Sequence, residues 1–334
     1  MDAPKISVII PMYNAEKFIR QCLISVLASK FADYEVLVVD DCSTDNSLAE
    51  VEKLAPHFNG RLKIFRTEKN SGGAGIPRNI ALKNSSGKYL CFVDADDMIF
   101  PTAFDNFLTV AEDFQADVVH MEKFYFCKDT DGNFRREELV LQKYEAGEAV
   151  NVPTPEPDDL RGRIQRMLEG RFIWMPWGKL FRREFVVANE IEFVDVPITA
   201  DLLFWFKCLC LAKKYVRAPQ VTNIYRRGHA SASNIGISSS KGVHLWLDVC
   251  LKNIALIDEF TGGLEFFRNN PDVRHDTLKF FIGKYFELIE DLFTTVQPHE
   301  VPKIFFNALE NPALNQHGKN LVAAYLFSER ALNK

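Results

Sequence analysis

An α/β fold with a largely parallel sheet is what the first third of the sequence predicts, and three observations carry that prediction. Short apolar, β-branched runs alternate with amphipathic stretches, the rhythm of β-α-β units. Residues 35–40 and 89–93 are apolar at most positions rather than at every second one, as in strands covered on both faces. Both runs end in acid, Asp40-Asp41 and Asp94-Ala95-Asp96, and right-handed crossovers set such ends along one carboxyl edge of the sheet.

Taken in order, Ile6-Ser7-Val8-Ile9-Ile10 reads as a strand stopped by Pro11. Phe18, Ile19, Cys22, Leu23, Val26 and Leu27 then recur at helical spacing. After the second strand, Ser43, Thr44, Asp45 and Asn46 offer helix-capping side chains, and Leu48, Val51 and Leu54 continue as a helix. Residues 62–66 form a third strand. Asn70-Ser-Gly-Gly-Ala-Gly-Ile-Pro-Arg78-Asn79 follows, with glycines that permit close backbone approach and Arg78 opening the next helix. It is not a Walker loop, because the Gly-Lys-Ser/Thr end is missing, and it follows the third strand where a dinucleotide fingerprint follows the first. Leu90-Cys-Phe-Val93 is the fourth strand, whose alternation puts Asp94 and Asp96 on one side.

Beyond that point the signals are sparser. Residues 129–159 are polar and contain Pro153, Pro155 and Pro157, an insertion over the acceptor side. Trp174-Met-Pro-Trp177-Gly-Lys179 offers an aromatic platform and a cation, or else two core tryptophans at a turn. Asp201 begins an amphipathic helix, as a cap or as a reactive carboxylate. A short strand at 215–217 precedes Tyr225-Arg226-Arg227-Gly-His229-Ala-Ser231, which suits a lid closing on a diphosphate. From about residue 241 only helical periodicity remains: Leu245, Val249, Leu251, Ile254 and Ile257, then Leu278, Phe281, Ile282, Tyr285 and Ile289, with at least one more helix in 307–332. These helices would pack on the catalytic domain, self-associate, or lie on a membrane surface; their many acids disfavour the last.

The 334 residues, 47% hydrophobic with 28 Phe, suffice for a sizeable core in one large domain with an appendage, or in two domains. A net charge of −5 gives no argument for a nucleic-acid partner. Seven scattered cysteines do not form a disulfide framework, and Cys208-Leu-Cys210 lacks zinc-site spacing. With no basic, apolar leader and no apolar run approaching the roughly 20 residues of a membrane helix, the expected location is cytoplasmic.

The acidic strand ends point to chemistry. Two ionised carboxylates that close repel unless one takes a proton or a cation sits between them. Mg²⁺ or Mn²⁺ suits oxygen ligands and also binds phosphate oxygens. Asp40-Asp41 could equally accept hydrogen bonds from a base or ribose, or serve as a turn.

Val8-Ile-Ile-Pro-Met-Tyr-Asn14, Val38-Val-Asp-Asp-Cys-Ser-Thr-Asp45, Asn70 to Asn79 and Phe92-Val-Asp-Ala-Asp-Asp97 together resemble a glycosyltransferase family 2 domain of the GT-A type. Trp177-Gly-Lys-Leu-Phe-Arg182 and Ala200-Asp-Leu-Leu-Phe204 extend the resemblance toward its bacterial polysaccharide branch, so that it covers about residues 4–235. The resemblance implies a Rossmann-like nucleotide-diphospho-sugar transferase fold over 1–238 and a helical region over 239–334. It implies inverting, metal-dependent transfer of a hexosyl or N-acetylhexosaminyl unit from a UDP-sugar to a glycan or lipid-linked hydroxyl. Pro11, Tyr13, Asp40 and Asp41 would border the nucleotide base. Arg78, Asp94, Ala95, Arg226, His229 and Ser231 would meet the donor, and Asp96 of the Asp-x-Asp motif, with His229, the metal. Trp177 would meet the acceptor, and Asp201 would be the general base. Where the family commonly has Glu before that Asp, this chain has Ala200. The resemblance admits association with the inner membrane face and homo-oligomers. The competing readings are a sugar-nucleotide nucleotidyltransferase, which Pro11-Met-Tyr-Asn14 does not fit, and a non-catalytic binding module.

Overall fold

The computed structural model describes residues 3–128, 140–143, 150–227, 240–293 and 300–326. The chain divides into two compact units, Met1–Arg163 with Glu169–His229, and Ile164–Leu168 with Ala230–Lys334.

In the first unit, β1 (Ile6–Met12), β2 (Tyr34–Asp40), β3 (Leu62–Arg66) and β4 (Tyr89–Phe92) lie parallel in the order β3-β2-β1-β4. Their crossovers carry α1 (Ile19–Leu27), α2 (Ser47–Leu54) and α3 (Gly75–Asn84). Past β4 the sheet becomes mixed: β9 (Lys179–Arg182), β6 (Val118–Lys128), β10 (Tyr215–Arg227) and β5 (Met98–Ile99) follow in that order. Here β9 is antiparallel to both β4 and β6, while β10 is parallel to β6. Two short strands, β7 (Val140–Lys143) and β8 (Thr154–Pro155), pair with β6 and β10. A 3-10 turn at Ala55–Phe58 and four further helices complete the described secondary structure up to Arg227: α4 (Ala103–Asp113), α5 (Leu160–Leu168), α6 (Arg183–Ala188) and α7 (Ala200–Leu211).

Three expectations change. Pro11 does not stop β1, which runs on to Met12; the β4 ladder ends at Ile9, so the missing N–H falls where that partner has already gone. The strand expected at 215–217 is 13 residues long and takes in Tyr225, Arg226 and Arg227. Residues 154–155 belong to the sheet, and Glu156 is buried, paired with Arg217, which also meets Glu122.

Each face of the parallel strands is filled by helix side chains. Val8, Ile10, Val36 and Val38 pack with Ile19, Leu23 and Val26 of α1 and Phe104 and Phe107 of α4. Elsewhere four phenylalanines meet. Phe92 at the end of β4 sits edge-on to Phe181 of β9, Phe193 and Phe204 of α7, with ring centroids 5.3–5.7 Å apart. Phe193 and Phe204 stack at 4.0 Å. Such pairs add roughly 0.5–1.5 kcal/mol each beyond burial, and this cluster ties β4 to the segment leading into α7.

The second unit is helical: α8 (Ser240–Gly263), α9 (Glu265–Asn269), α10 (Pro271–Phe293), α11 (Val301–Leu309) and α12 (Gln316–Leu326). Its core holds Leu247, Cys250, Ile254 and Ile257 of α8 with Leu278, Phe281 and Tyr285 of α10. Buried Asp258 accepts from Arg274 at 2.6 Å and from Asn315, joining α8, α10 and the turn before α12 beside a cavity of about 460 Å³. Among the described residues no helix is long and apolar enough to cross a membrane.

Candidate active site

The four parallel strands deliver their carboxyl ends to one edge, and the chain loops there carry the polar residues. β4 ends at Phe92, one residue earlier than its apolar run suggests, so Asp94 and Asp96 are not alternate strand positions. They occupy a turn closed by the Asp97 N–H donating to the Asp94 carbonyl at 3.0 Å. Asp97 is fully buried; its Oδ1 accepts from the Arg226 backbone N–H at 2.8 Å, and its Oδ2 is buried without a partner. Ala95 packs into the core beneath the turn.

Arg226 is not on a lid. It lies in β10, 1% exposed, with Nε donating to the Asp96 carbonyl at 2.7 Å and Nη2 to Gln21 Oε1 at 2.8 Å, its guanidinium over the Phe18 ring. It fixes the turn from below. His229 and Ser231 lie outside the described residues.

Arg78, four residues into α3 and 3% exposed, joins two distant carboxylates. Its Nη2 donates to Asp94 Oδ1 at 2.7 Å, and its Nη1 donates to Asp201 Oδ1. Asp201 is the second residue of α7, behind Thr199 in the left-handed region (φ 61°), and makes no capping hydrogen bond; its partner is Arg78. Burial pushes the Asp94 carboxyl up to about 6; Arg78 opposes this, while Asp96 and Asp201 add to it. Burial, then repulsion from Asp96 and Asp94, raises Asp97 well above the usual carboxylate range.

Along the same edge, Asp41 accepts from Ser71 N–H at 3.0 Å, Ser71 Oγ at 2.9 Å and Thr67 Oγ1 at 2.8 Å. Asp40, fully buried, accepts from Ser43 N–H at 3.0 Å and pairs with Arg66 at 3.1 Å, so its carboxylate is spent on the turn after β2. Pro11 is buried in β1, whereas Tyr13 just beyond it is 47% exposed and presents a ring at the strand end. Trp177 has no such surface. It is 2% exposed, stacked on Tyr225 at 5.4 Å and edge-on to Phe124, which makes it a core residue and removes it as an acceptor platform. Lys179 beside it is fully buried, donating to the Met175 carbonyl at 2.5 Å.

The glycine-rich loop serves the protein more than a ligand. Only Gly72 has a positive φ (81°). A Cβ on Gly73 would meet Val196 O at 2.7 Å, and one on Gly75 would meet Val194 O at 2.6 Å. Residues 193–197 therefore press directly on the start of α3, which brings Asp201 to Arg78. The roles of Asn79, Phe193, Ser71 and Gln21 were not singled out by sequence, and only Ser71 and Asn79 lie in a segment with a motif signal.

Three acidic residues on one turn, two of them raised by burial and mutual repulsion, make a donor set short of positive charge. Among the described residues no three His, Cys, Asp or Glu side chains converge as a metal cage. A cation of the Mg²⁺ type, which takes one or two carboxylates and completes its shell with phosphate oxygens and water, would therefore rest on Asp96 with at most one neighbour from this turn.

The family model for glycosyl transferase family 2 matches residues 7–186, more than half of the chain. The chain belongs to glycosyl transferase family 2, a family of sugar-transferring enzymes, and has the GT-A fold. Among its relatives is the uncharacterized glycosyltransferase EpsJ of Bacillus subtilis, 29% identical over 243 residues, which are 72% of this chain and 67% of EpsJ. The poly(ribitol-phosphate) β-N-acetylglucosaminyltransferase TarS of Staphylococcus aureus is 44% identical over 117 residues, 34% of this chain and 20% of TarS. The crystal structure of S. aureus TarS 1–349 superposes with a TM-score of 0.62 at 23% identity, covering 96% of this chain and 91% of that one. The same fragment has been solved with UDP-GlcNAc, where the TM-score is 0.57. A mannosyltransferase from Pyrobaculum calidifontis, solved with GDP-Man and Mn²⁺, matches with a TM-score of 0.51 at 15% identity, over 99% of this chain and 83% of that one.

Proposed function

We propose that this chain transfers a hexosyl or N-acetylhexosaminyl unit from a UDP-sugar to a hydroxyl of a glycan or lipid-linked acceptor, inverting the anomeric centre. The observation that carries the reading is Arg78 holding Asp94 and Asp201 together at the carboxyl edge of the parallel strands. A transferase needs its leaving diphosphate and its acceptor-activating carboxylate within reach of one sugar, and this bridge supplies that juxtaposition. The TarS fragment solved with UDP-GlcNAc supports a UDP-sugar as donor.

Tyr13 and Asp41 border the base, Asp41 retaining lone pairs beyond those that Ser71 and Thr67 use. Asp94 faces ribose or sugar, and Asp96 holds a divalent cation, Mn²⁺ or Mg²⁺. When bound, that ion neutralises charge on the departing diphosphate. Asp201 takes the acceptor proton through its second oxygen as the new bond forms, while Arg78 holds the carboxylate in place through the first. A single in-line displacement needs no carboxylate nucleophile. On the same footing, residues 1–238 are the catalytic domain, and 239–334 serve acceptor recognition or self-association.

The test is a donor screen: UDP-sugars with Mn²⁺ or Mg²⁺, water as default acceptor, UDP release as readout and NMR for the product anomer. Metal-dependent UDP release with inversion is expected. Pyrophosphate exchange instead, or binding without turnover under every condition, would overturn the proposal.

A further inference from the structure

We propose that Asn79 is the positioning residue for Asp201, acting by gripping the backbone of Phe193; this rests on Asp201 being the base. Asn79 is 8% exposed and uses both ends of its amide on one residue. Its Nδ2 donates to the Phe193 carbonyl at 2.8 Å, and the Phe193 N–H donates to its Oδ1 at 2.9 Å. That two-point clamp matters because residues 189–199 form neither helix nor strand, so no ladder fixes where α7 begins.

Phe193 transmits the grip. Its ring stacks on Phe204, one turn after Asp201, at 4.0 Å and 4°. The Arg78 guanidinium lies 5.2 Å from the same ring. Phe193 thus touches Arg78 directly and, through Phe204, the helix that carries Asp201, and Asn79, adjacent to Arg78 on α3, references that arrangement to one helical turn. Gly73 and Gly75 complete the seat, admitting the carbonyls of Val196 and Val194 where any Cβ would push the segment away. Loss of the clamp releases this loop, and misplacing a reacting group by about 1 Å is enough for a 10²-fold loss of rate.

The experiment compares Asn79→Ala and Asn79→Ser with wild type, using the UDP-sugar that wild type turns over fastest. Turnover is normalised to the number of sites that bind UDP with Mn²⁺, which removes misfolded protein from the comparison. The expected result is a 10–100-fold fall in kcat per UDP-binding site, with UDP affinity changed by less than about twofold. Serine should recover little of the loss, since its Oγ stops one bond short of the Asn79 Oδ1 that accepts from the Phe193 N–H. A kcat per site within about twofold of wild type, or UDP affinity falling in step with kcat, would overturn the clamp. So would failure of both variants to fold, because the amide would then serve the fold alone. Asp201→Asn run in parallel separates the two ideas. Normal turnover there with a slow Asn79→Ala sinks the base assignment, and the reverse pattern sinks the clamp.

Discussion

The two ends of the parallel strands treat acidic residues in opposite ways. At the amino end, Glu35 near the start of β2 accepts from Ser7 Oγ at 2.6 Å, Ser86 N–H at 2.6 Å, Ser86 Oγ at 2.8 Å and Lys63 Nζ at 2.7 Å. Burial alone would raise its carboxyl; Lys63, Ser7 and Ser86 outweigh burial and bring it down to about 2. At the carboxyl end, burial raises Asp94 to about 6, and burial with repulsion from Asp96 and Asp94 raises Asp97, one of whose oxygens is left without a partner. Buried polar groups in folded proteins are satisfied as a rule, and exceptions mark places where something else completes them. The amino end is finished by the chain itself. The carboxyl end is left with raised carboxyls and one buried oxygen that the chain does not satisfy, at the usual location for ligands in open α/β sheets.

The sharpest way to break this contrast is Asp96→Ala. The proposal expects loss of metal-dependent UDP binding and turnover with the melting temperature unchanged or raised, because a repulsive charge has gone from beside Asp94 and Asp97. Isothermal titration with and without Mn²⁺ reads it, and unchanged affinity in the folded variant removes the metal from Asp96. Next in size is Asp201→Asn, expected to lower kcat about 10²-fold with donor affinity little altered. Asn preserves volume and one acceptor oxygen, so a purely structural Asp201 would leave turnover near normal.

How much of this contrast the sequence announced follows from what each end is made of. The strands β1 to β4 and their parallel sense were legible because hydrophobic runs and acidic ends repeat at β-α-β spacing. Asp94, Asp96, Arg78 and Asp201 stood out as charges beside those runs. Their meeting did not, since it depends on Phe193, Asn79 and two glycines whose partners are more than 100 residues away in sequence. Arg226 misled in the same way, and Trp177, open between platform and core, proved to be core. A basic residue near a glycine reads as surface, whereas here a 13-residue strand buries Arg226 and stacks Tyr225 on Trp177. Most of strand β10 was hidden by Gln220, Arg226 and Arg227, and the partners of Arg217 and Arg226, namely Glu122, Glu156 and the Asp96 carbonyl, are supplied only by the fold. Glu35 gave no signal at all, being one acid in a strand.

Glu35→Gln therefore tests the finished end. It leaves Lys63 and Ser86 N–H facing an amide and should cost about 2 kcal/mol of stability, with UDP affinity and kcat unchanged. Denaturant unfolding checks the first part. A loss of UDP binding in this variant would mean that the two ends are not independent.

The smallest expected effect carries the sign of the whole comparison. In the folded chain Asp94 keeps its proton up to a pH of about 6, against an ordinary value of 3.8. Between those limits the folded state holds the extra proton, so rising pH removes stability, and above 6 the full penalty is present. Asp94→Asn cannot ionise. In chelator-treated protein its melting temperature relative to wild type should therefore climb by a few degrees from pH 4 to pH 6 and then level off. Glu35 acts in the opposite sense, its contribution being lost as pH falls from 4.5 toward 2, but it does so equally in both proteins and cancels from the difference. Burial lowers the His120 pKa well below its usual value, and that contribution cancels likewise. Saturating Mn²⁺ with UDP should flatten the curve, because the bound cation stabilises the ionised carboxylate that burial alone disfavours. A difference that stays level from pH 4 to 7 without metal would show that Arg78 already satisfies Asp94, and the carboxyl end would then be as finished as the amino end.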